Sequence, residues 1–368
     1  MEGKKILKQL KPYEQGMQIE EVKEKYNLNK IVKLASNENP FGFSEKAEAY
    51  LRNSTHDLSI YPDGYAAELR AELAKKLSVA EDEIVFSAGL DELIQIISRC
   101  YLEPGKNAVM ADFTFPQYKH QALIEGAEAR EIPLAADGSH DLDAMLNAVD
   151  AHTAVVWICS PNNPTGRIIT REALLTFLEQ CPKHVLVVLD EAYYEFVSPE
   201  QDIHAIDLLG NYQNLLVMRT FSKAYGLAAL RIGYGITSLE TARKLNIARG
   251  PFNTSSIAQR AARVSLDDAV FIQKVHKENR RIRESFEQFL DTEMAWPYFA
   301  SETNFVLVET PIDDMDIFQQ LLERGFIVRP GAKLGRLGVI RITIGEEAAM
   351  EALKEALREI KQNVSQVN

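Results

Sequence analysis

An alternation of apolar runs with helical segments constrains the fold of this chain more than any other feature of its sequence. Residues 154–159, 185–189 and 215–218 are entirely apolar. Continuous apolar runs of this length are typical of parallel strands that are covered on both faces. Segments with helical periodicity, such as 91–101 and 171–178, separate the runs. The pattern predicts an α/β fold with a mostly parallel sheet covered by helices.

The loops after these three runs carry the chemically informative residues. Asn163, Asp190 and Lys223 each lie just beyond the end of one run. Because ligands of open α/β sheets bind beyond the carboxyl ends of the strands, we expect the three side chains to face one ligand. No cationic residue is adjacent to Asp190 in sequence, so a buried carboxylate at this position needs a cationic partner. A protonated ring nitrogen would supply that partner.

Lys223 lies where a strand gives way to a loop of small residues, with Thr220 and Ser222 before it and Arg231 after it. Burial and nearby positive charge both lower the pKa of a lysine, which an amine needs in order to attack carbonyls. Hydroxyl groups and an arginine are suited to holding a phosphate. Together these residues suggest an aldehyde cofactor that carries a phosphate and forms an imine with Lys223. A structural lysine at a strand end is the alternative.

Three further loop residues have both a functional and a structural interpretation. A strand leads through Gly89 into a helix, and such a junction presents unpaired N–H groups to an anion. An ordinary turn is the alternative, with Asp91 satisfying those donors itself. Phe115, in an aromatic cluster after a strand, either stacks on a flat heterocycle or belongs to the core. The pattern around Tyr61 favours an aromatic side chain that packs within a turn.

The C-terminal part has a different pattern. A charged stretch at 255–289 is predicted to be a solvated helix that links two domains, and residues 304–361 are predicted to form a smaller α+β domain. Arg329 and Arg341 lie in or at the ends of its strands, where arginine is uncommon. Anion recognition and a structural ion pair explain these two residues equally well. The predicted units are an N-terminal arm (1–30), a large domain (31–265) and a small domain (266–368).

Composition excludes several classes of function. The formal net charge is −12 and the pI is about 5.2, which argues against general binding of nucleic acids or anionic membranes. The three cysteines form an odd, sparse set without metal-ligand spacing, which predicts a reducing cytoplasm and no metal site. No apolar run approaches the roughly 20 residues that span a bilayer, and the N-terminus has no signal-peptide core. We therefore expect a cytoplasmic protein that acts on a small molecule.

These motifs resemble those of the fold-type I aminotransferases, which use pyridoxal 5'-phosphate (PLP), and in particular those of the histidinol-phosphate aminotransferase family. The resemblance extends over essentially the whole chain. It implies the α/β fold of these enzymes, with a large PLP-binding domain and a smaller α+β domain. It rests on the segments 10–13, 34–40, 61–64, 160–166, 190–193, 220–227 and 230–234.

The resemblance implies three catalytic residues, Lys223, Asp190 and Tyr193. Lys223 would form the imine with PLP and then act as base and acid in the proton transfer. Asp190 would keep the pyridine nitrogen protonated, which makes the ring an electron sink. Tyr193 and Asn163 would form hydrogen bonds with the phenolic oxygen of the ring, and Phe115 would stack on the ring.

The same resemblance implies how the cofactor phosphate is bound and that the enzyme is a homodimer. Tyr61 would reach the phosphate in the neighbouring subunit, so the active sites would be shared between the two subunits. Within one subunit, the phosphate would be bound by the backbone N–H groups of Gly89, Leu90 and Asp91 and by the side chains of Thr220, Ser222 and Arg231.

For the substrate, the resemblance implies transfer of the amino group between L-histidinol phosphate and 2-oxoglutarate, giving imidazole-acetol phosphate and glutamate in histidine biosynthesis. Tyr13, Asn163, Arg329 and Arg341 would bind the substrates. Phe252 takes a position where some relatives have a tyrosine from the partner chain. An aromatic-amino-acid aminotransferase shares every cofactor residue and is the main alternative, as the principal or as a second activity. A PLP-dependent decarboxylase and a PLP-sensing regulatory module are further alternatives.

Overall fold

The protein is described here by a computed structural model, which covers residues 3–12, 16–53 and 58–367, with side chains up to residue 363. The chain alternates between strands and helices over most of this length. Numbered along the chain, the strands are Val32–Lys33 (β1), Ile84–Ser87 (β2), Asn107–Ala111 (β3), Glu128–Ile132 (β4), Thr153–Cys159 (β5), Leu186–Asp190 (β6), Leu215–Thr220 (β7), Gly233–Thr237 (β8), Tyr298–Phe299 (β9), Phe305–Glu309 (β10), Phe326–Ile327 (β11), Arg329–Pro330 (β12) and Val339–Thr343 (β13).

The α-helices pack around these strands, and several begin at a residue whose side chain accepts a hydrogen bond from the first turn. Such caps are Thr170, Ser238 and Ser255. The α-helices are Ile19–Tyr26 (α1), Glu45–Asn53 (α2), Ala67–Leu77 (α3), Leu90–Tyr101 (α4), Gln117–Ile124 (α5), Leu142–Asn147 (α6), Arg171–Gln180 (α7), Leu239–Ala248 (α8), Ser256–Leu266 (α9), Ala269–Phe289 (α10), Asp314–Glu323 (α11) and Glu347–Val367 (α12).

A seven-stranded sheet forms the centre of the fold. Its order is β2-β8-β7-β6-β5-β3-β4, with β8 antiparallel to both of its neighbours and the other pairs parallel. Successive side chains of a strand point to opposite faces, so Val187 and Leu189 of β6 join one hydrophobic cluster while Leu186 and Val188 join another. The predicted α/β fold with a mostly parallel sheet covered by helices is therefore confirmed.

A four-stranded antiparallel sheet of order β12-β13-β10-β9 lies in the C-terminal part. It packs on a separate cluster that includes Phe286, Val306 and Ile342. Strand β1 pairs in parallel with β11, so the chain just after the N-terminal arm is hydrogen-bonded to the C-terminal part. The division into an arm and two domains at residues 30/31 and 265/266 stays a prediction.

The prediction that the charged stretch at 255–289 forms one solvated helix is wrong. It forms two helices, α9 and α10, because the chain breaks at Asp267 and Asp268 caps the second helix through the N–H of Phe271. Helix α9 buries a face of small residues against α2 and α3. Helix α10 buries Ile282 and Phe286, so its charges cover only the other face. Among the described residues, no helix has both the length and the apolar character that crossing a bilayer requires.

Candidate active site

A cavity of about 210 Å³ opens beyond the carboxyl ends of the central strands and is bounded on its other side by the C-terminal part of the chain. Strands β5, β6 and β7 are parallel neighbours, so the loops that follow them leave the same edge of the sheet. Most of the residues predicted from the sequence line this one cavity: Leu90, Asp91, Phe115, Asn163, Asp190, Tyr193, Thr220, Ser222, Lys223, Arg231, Arg329 and Arg341.

Lys223 projects its amine into the cavity, where the Nζ atom lies 3.1 Å from the carbonyl oxygen of Ser36. Burial lowers the pKa of Lys223 to about 8, and the positive charge of Arg341 acts in the same direction. The sequence pointed to Arg231 as the cation near the amine, but its effect on the pKa is smaller than that of Arg341. Arg341 is remote in sequence and reaches the site from β13. The amine is therefore closer to its neutral, nucleophilic form than a surface lysine would be.

Asp190 is a buried carboxylate whose two oxygens are both held by neutral donors. The hydroxyl of Tyr118 donates to Oδ2 at 2.6 Å, and the N–H of Ala192 donates to Oδ1 at 2.9 Å. Burial raises the pKa of Asp190 to about 6. Tyr118 is itself fully buried and stacks on Trp157, with ring centroids 4.8 Å apart. The carboxylate is thus fixed in orientation, and a cation in the cavity would offset the cost of burying its charge.

Asn163 and Tyr193 both line the cavity, and each is hydrogen-bonded to a residue from a distant part of the chain. Arg341 donates to Oδ1 of Asn163 at 2.6 Å and to the carbonyl oxygen of Ala35 at 2.7 Å. Asn37 donates to the hydroxyl oxygen of Tyr193 at 2.9 Å. Burial raises the pKa of Tyr193, so its phenol stays protonated at neutral pH.

Phe115 borders the cavity at the start of α5 and meets Tyr118 edge to face, with ring centroids 5.7 Å apart. It also packs against the hydrophobic cluster that contains Trp157. The two interpretations of Phe115 from the sequence, as a stacking residue and as a core residue, are therefore compatible in this position. Phe115 packs against the cluster and still borders the cavity.

The junction of β2 and α4 forms a concave, positively charged end of the cavity. Gly89 has a φ of 79°, and a Cβ atom there would collide with the guanidinium of Arg231. Arg231 also donates to the Ser222 hydroxyl at 3.3 Å. Asp91 lies with a carboxylate oxygen 3.5 Å from Arg231. The N–H of Ala88, just before the helix, is accepted by Glu92 rather than by Asp91.

Thr220 and Ser222 continue this end of the cavity. The hydroxyl oxygen of Thr220 accepts the N–H of Ser222 at 3.0 Å, and both residues line the cavity. Together with Arg231 and the first N–H groups of α4, they provide the donor set that an anion requires at a helix N-terminus. The arrangement can therefore bind a phosphate group.

Two predicted residues lie elsewhere or outside the described chain. Tyr61 is 79% exposed and stacks on Phe252 of the same chain, with ring centroids 4.9 Å apart, rather than bordering the cavity. Tyr13 falls outside the described residues. Neither observation tests the expected contact of Tyr61 with a neighbouring subunit.

Comparison with known proteins shows to which family the chain belongs. The family model for class I and II aminotransferases matches residues 29–357. The chain belongs to the class I and II aminotransferases. Within that family it belongs with the histidinol-phosphate aminotransferases, since it is 52% identical over 359 residues to histidinol-phosphate aminotransferase 2 of Oceanobacillus iheyensis, covering 98% of both chains.

Two further relatives agree with this placement. The aminotransferase described here is 52% identical to the histidinol-phosphate aminotransferase of Bacillus subtilis, over 98% of this chain and 100% of that one. The crystal structure of histidinol-phosphate aminotransferase from Sinorhizobium meliloti in complex with PLP superposes with a TM-score of 0.89 at 27% identity, covering 98% of this chain and 97% of that chain. The predicted membership of the aminotransferase family is confirmed.

Several residues that line or support this aminotransferase's cavity were not found from the sequence. Tyr118 does not line the cavity but holds the carboxylate of Asp190, and its place in the aromatic cluster that follows a strand was the available signal. Asn37 belongs to a motif that carried the family resemblance, but no role was assigned to it. The remaining lining residues that the sequence did not indicate are Gly16, Ala35, Ser36, Thr114, Pro116, Cys159, Pro164, Ala192, Lys333 and Leu334.

Proposed function

We propose that this aminotransferase uses PLP to transfer the amino group between L-histidinol phosphate and 2-oxoglutarate, as expected from the sequence. The observation that carries the proposal is the single cavity in which Lys223, Asp190 and Arg341 converge. The two relatives at 52% identity are both histidinol-phosphate aminotransferases, which supports this substrate over aromatic amino acids.

The residues present fit PLP. Asp190 is buried, and its oxygens are held by Tyr118 and Ala192 rather than by a cation, so it suits a protonated ring nitrogen. The absence of a Cβ atom at Gly89 makes room for the guanidinium of Arg231 at the start of α4, which suits the phosphate. When bound, PLP supplies a ring that withdraws electrons from the substrate carbon as a proton leaves it.

Each residue then has a task that its environment supports. The Nζ atom of Lys223, with a pKa of about 8, holds the cofactor and then takes and returns the proton of the substrate carbon. Asp190 holds the proton on the ring nitrogen. Asn163 and Tyr193 donate to the phenolic oxygen, Phe115 covers one face of the ring, and Gly89, Leu90, Asp91, Thr220, Ser222 and Arg231 hold the phosphate.

The substrate end of the proposed site is positively charged. Arg329 and Arg341 are each 7% exposed and line the cavity, and a buried guanidinium is suited to bidentate binding of a phosphate or a carboxylate. We propose that they bind the phosphate of histidinol phosphate in one half-reaction and a carboxylate of 2-oxoglutarate in the other. Tyr13 and Asn163 complete the proposed substrate site.

The comparison that tests this substrate assignment is the ratio of specificity constants. We expect kcat/KM for L-histidinol phosphate to exceed that for phenylalanine or tyrosine by at least about tenfold, because only the phosphate ester places a dianion near the two arginines. Higher values for the aromatic amino acids would contradict the assignment in favour of the alternative activity. Release of CO₂ from a phosphorylated amino acid offered as substrate would instead indicate a decarboxylase.

We also propose that the enzyme is a homodimer with shared active sites. Large apolar side chains are exposed close to Tyr61 in the chain, namely Leu58 (76%), Ile60 (67%) and Tyr65 (75%), and a second subunit would cover them. Three free cysteines, Cys100, Cys159 and Cys181, support the further proposal that the protein works in the reducing cytoplasm. Recovery of the native protein in a membrane or secreted fraction would contradict this location.

Mixing two damaged variants tests the shared site. In a dimer formed from a Lys223→Ala subunit and a Tyr61→Ala subunit, one site keeps both Lys223 and the partner's Tyr61 if the tyrosine crosses the interface. We therefore expect the mixture to show higher activity than either variant alone after subunit exchange, measured together with the mass by light scattering. Purely additive activities, or a mass near the 41.4 kDa of one chain, would contradict the shared site.

A further inference from the structure

Asn37 is a buried polar residue of the cavity that the proposed mechanism does not yet use. It is 1% exposed and has a φ of 55°, in the segment that follows β1. Asparagine tolerates this left-handed conformation better than most residues. Its position places its backbone beside the C-terminal part of the chain and its side chain beside Tyr193, which follows β6 of the central sheet.

The hydrogen bonds of Asn37 fix which way its amide points. Its backbone N–H donates to the hydroxyl oxygen of Thr343 at 3.0 Å, and that hydroxyl donates to Oδ1 of Asn37, also at 3.0 Å. The carbonyl oxygen of Asn37 accepts a hydrogen bond from the side chain of Asn304 at 3.0 Å. With Oδ1 held by Thr343, the NH₂ group faces the hydroxyl of Tyr193 at 2.9 Å.

An amide NH₂ group donates hydrogen bonds and does not accept them. The oxygen of Tyr193 therefore accepts from Asn37, and its single proton is left to point elsewhere. Tyr193 is 3% exposed and packs edge to face on Phe305, with ring centroids 5.1 Å apart. Because Tyr193 also lines the cavity, it can donate this proton to an acceptor on a ligand that is bound there.

We propose that Asn37 is a positioning residue that makes Tyr193 a hydrogen-bond donor to the phenolic oxygen of the cofactor. This proposal rests on the proposed function, since it requires PLP in the cavity. Thr343 lies two residues after Arg341 on β13, so the two side chains share one face of that strand. The strand that carries a proposed substrate-binding arginine therefore also fixes the donor that acts on the cofactor.

The test replaces the amide by a carboxylate of the same shape. In Asn37→Asp the oxygen that faces Thr343 is kept, but the group that faces Tyr193 becomes an acceptor and draws the phenolic proton away from the cofactor. Loss of a donor to the phenolic oxygen favours the protonated imine, so the pH midpoint of the visible absorption of the bound cofactor should rise by about one unit. The measurement is an absorption titration of the purified holoprotein.

The same substitution in a Tyr193→Phe protein separates the orientation of the Tyr193 hydroxyl from the effect of the new negative charge. In Tyr193→Phe, Asn37→Asp can act only through its charge, so its effect on the midpoint should fall to less than about half of that in the wild-type background. Equal shifts in the two backgrounds, or no shift in either, would overturn the proposal. Asn279→Asp is the matched control, because Asn279 is equally buried at 2% but donates to the carbonyl of Thr303 away from the cavity.

Thermal unfolding of the apo-protein shows whether Asn37→Asp folds. If it does not fold, the uncharged substitution Thr343→Val tests the same proposal. Thr343→Val removes the hydroxyl that fixes the amide, and we expect a smaller midpoint shift in the same direction. An unchanged midpoint in Thr343→Val would then overturn the proposal. A wild-type protein that takes up no PLP would overturn the proposed function as well, and that result is seen before any variant is compared.

Discussion

Replacement of Lys223 by alanine is expected to lower kcat for transamination by at least about 10⁴-fold, because the variant loses the amine that takes and returns the proton of the substrate carbon. The amine lies in the cavity, and its pKa is lowered to about 8, so a larger fraction of it is in the neutral, basic form than for an exposed lysine. The measurement is the rate of a single turnover with L-histidinol phosphate, in which product release does not limit the observed rate.

A second lysine provides the control for this variant. Lys76 is exposed to solvent, although partial desolvation lowers its pKa, and it donates to the carbonyl of Leu266 at 2.7 Å and does not line the cavity. Lys76→Ala should therefore leave the single-turnover rate unchanged. Comparable activity of Lys223→Ala and the wild type would show that the base is another residue.

Replacement of Asp190 by asparagine is expected to lower kcat/KM by about 10³-fold, since a neutral amide cannot hold the proton on the ring nitrogen. The change preserves the size of the side chain. It also preserves an oxygen that can accept the N–H of Ala192, so the geometry of the loop should be retained. Steady-state kinetics with L-histidinol phosphate and 2-oxoglutarate measure the effect.

The apo-protein shows whether this loss reflects chemistry or unfolding. Burial raises the pKa of Asp190 from 3.8 to about 6, so in the folded apo-protein the charged carboxylate is disfavoured. The stability that the protonated form provides is present at low pH and is lost as the pH rises from 3.8 to about 6. At pH 7, apo Asp190→Asn should therefore have a free energy of unfolding higher than that of the apo wild type by up to about 3 kcal/mol. If apo Asp190→Asn is instead less stable than the apo wild type, the loss of activity would be explained by damage to the fold.

The convergence of Asn163, Asp190 and Lys223 could be predicted from the sequence because it follows from a local pattern. Each residue follows the end of an apolar run, and parallel strands that are neighbours bring their carboxyl ends to one edge. The position of the proposed phosphate site at this edge was predictable for the same reason, since the glycine between β2 and α4 follows the carboxyl end of β2. The amine, carboxylate and hydroxyl groups of these loops then favoured a particular class of ligand, an aldehyde cofactor that carries a phosphate.

The contacts that orient these side chains could not be predicted in this way. Tyr118 reaches Asp190 across 72 residues, and Asn37 reaches Tyr193 across 156 residues. No periodicity specifies such pairs, because the first depends on how α5 packs on the central sheet and the second on where the segment after β1 runs. The cation with the larger effect on Lys223 was missed for the same reason, as Arg341 comes from β13 while the sequence favoured the neighbouring Arg231.

Two parts of the fold were also missed, each for an identifiable reason. Strand β8 contains glycine at alternate positions, Gly233 and Gly235, which lowers its strand propensity although it is fully buried between β2 and β7. The stretch that became α9 and α10 was predicted as a single solvated helix because its many charges concealed two apolar faces. In both cases tertiary packing outweighed the local preference of the sequence.

The most direct test of the central claim is a half-reaction of the purified protein with L-histidinol phosphate in the absence of 2-oxoglutarate, followed by visible absorption and product analysis. We predict that the band of bound PLP disappears, that imidazole-acetol phosphate forms in an amount equal to the bound PLP, and that 2-oxoglutarate restores the band. A protein that carries no PLP, or a band that phenylalanine removes and L-histidinol phosphate does not, would contradict this account.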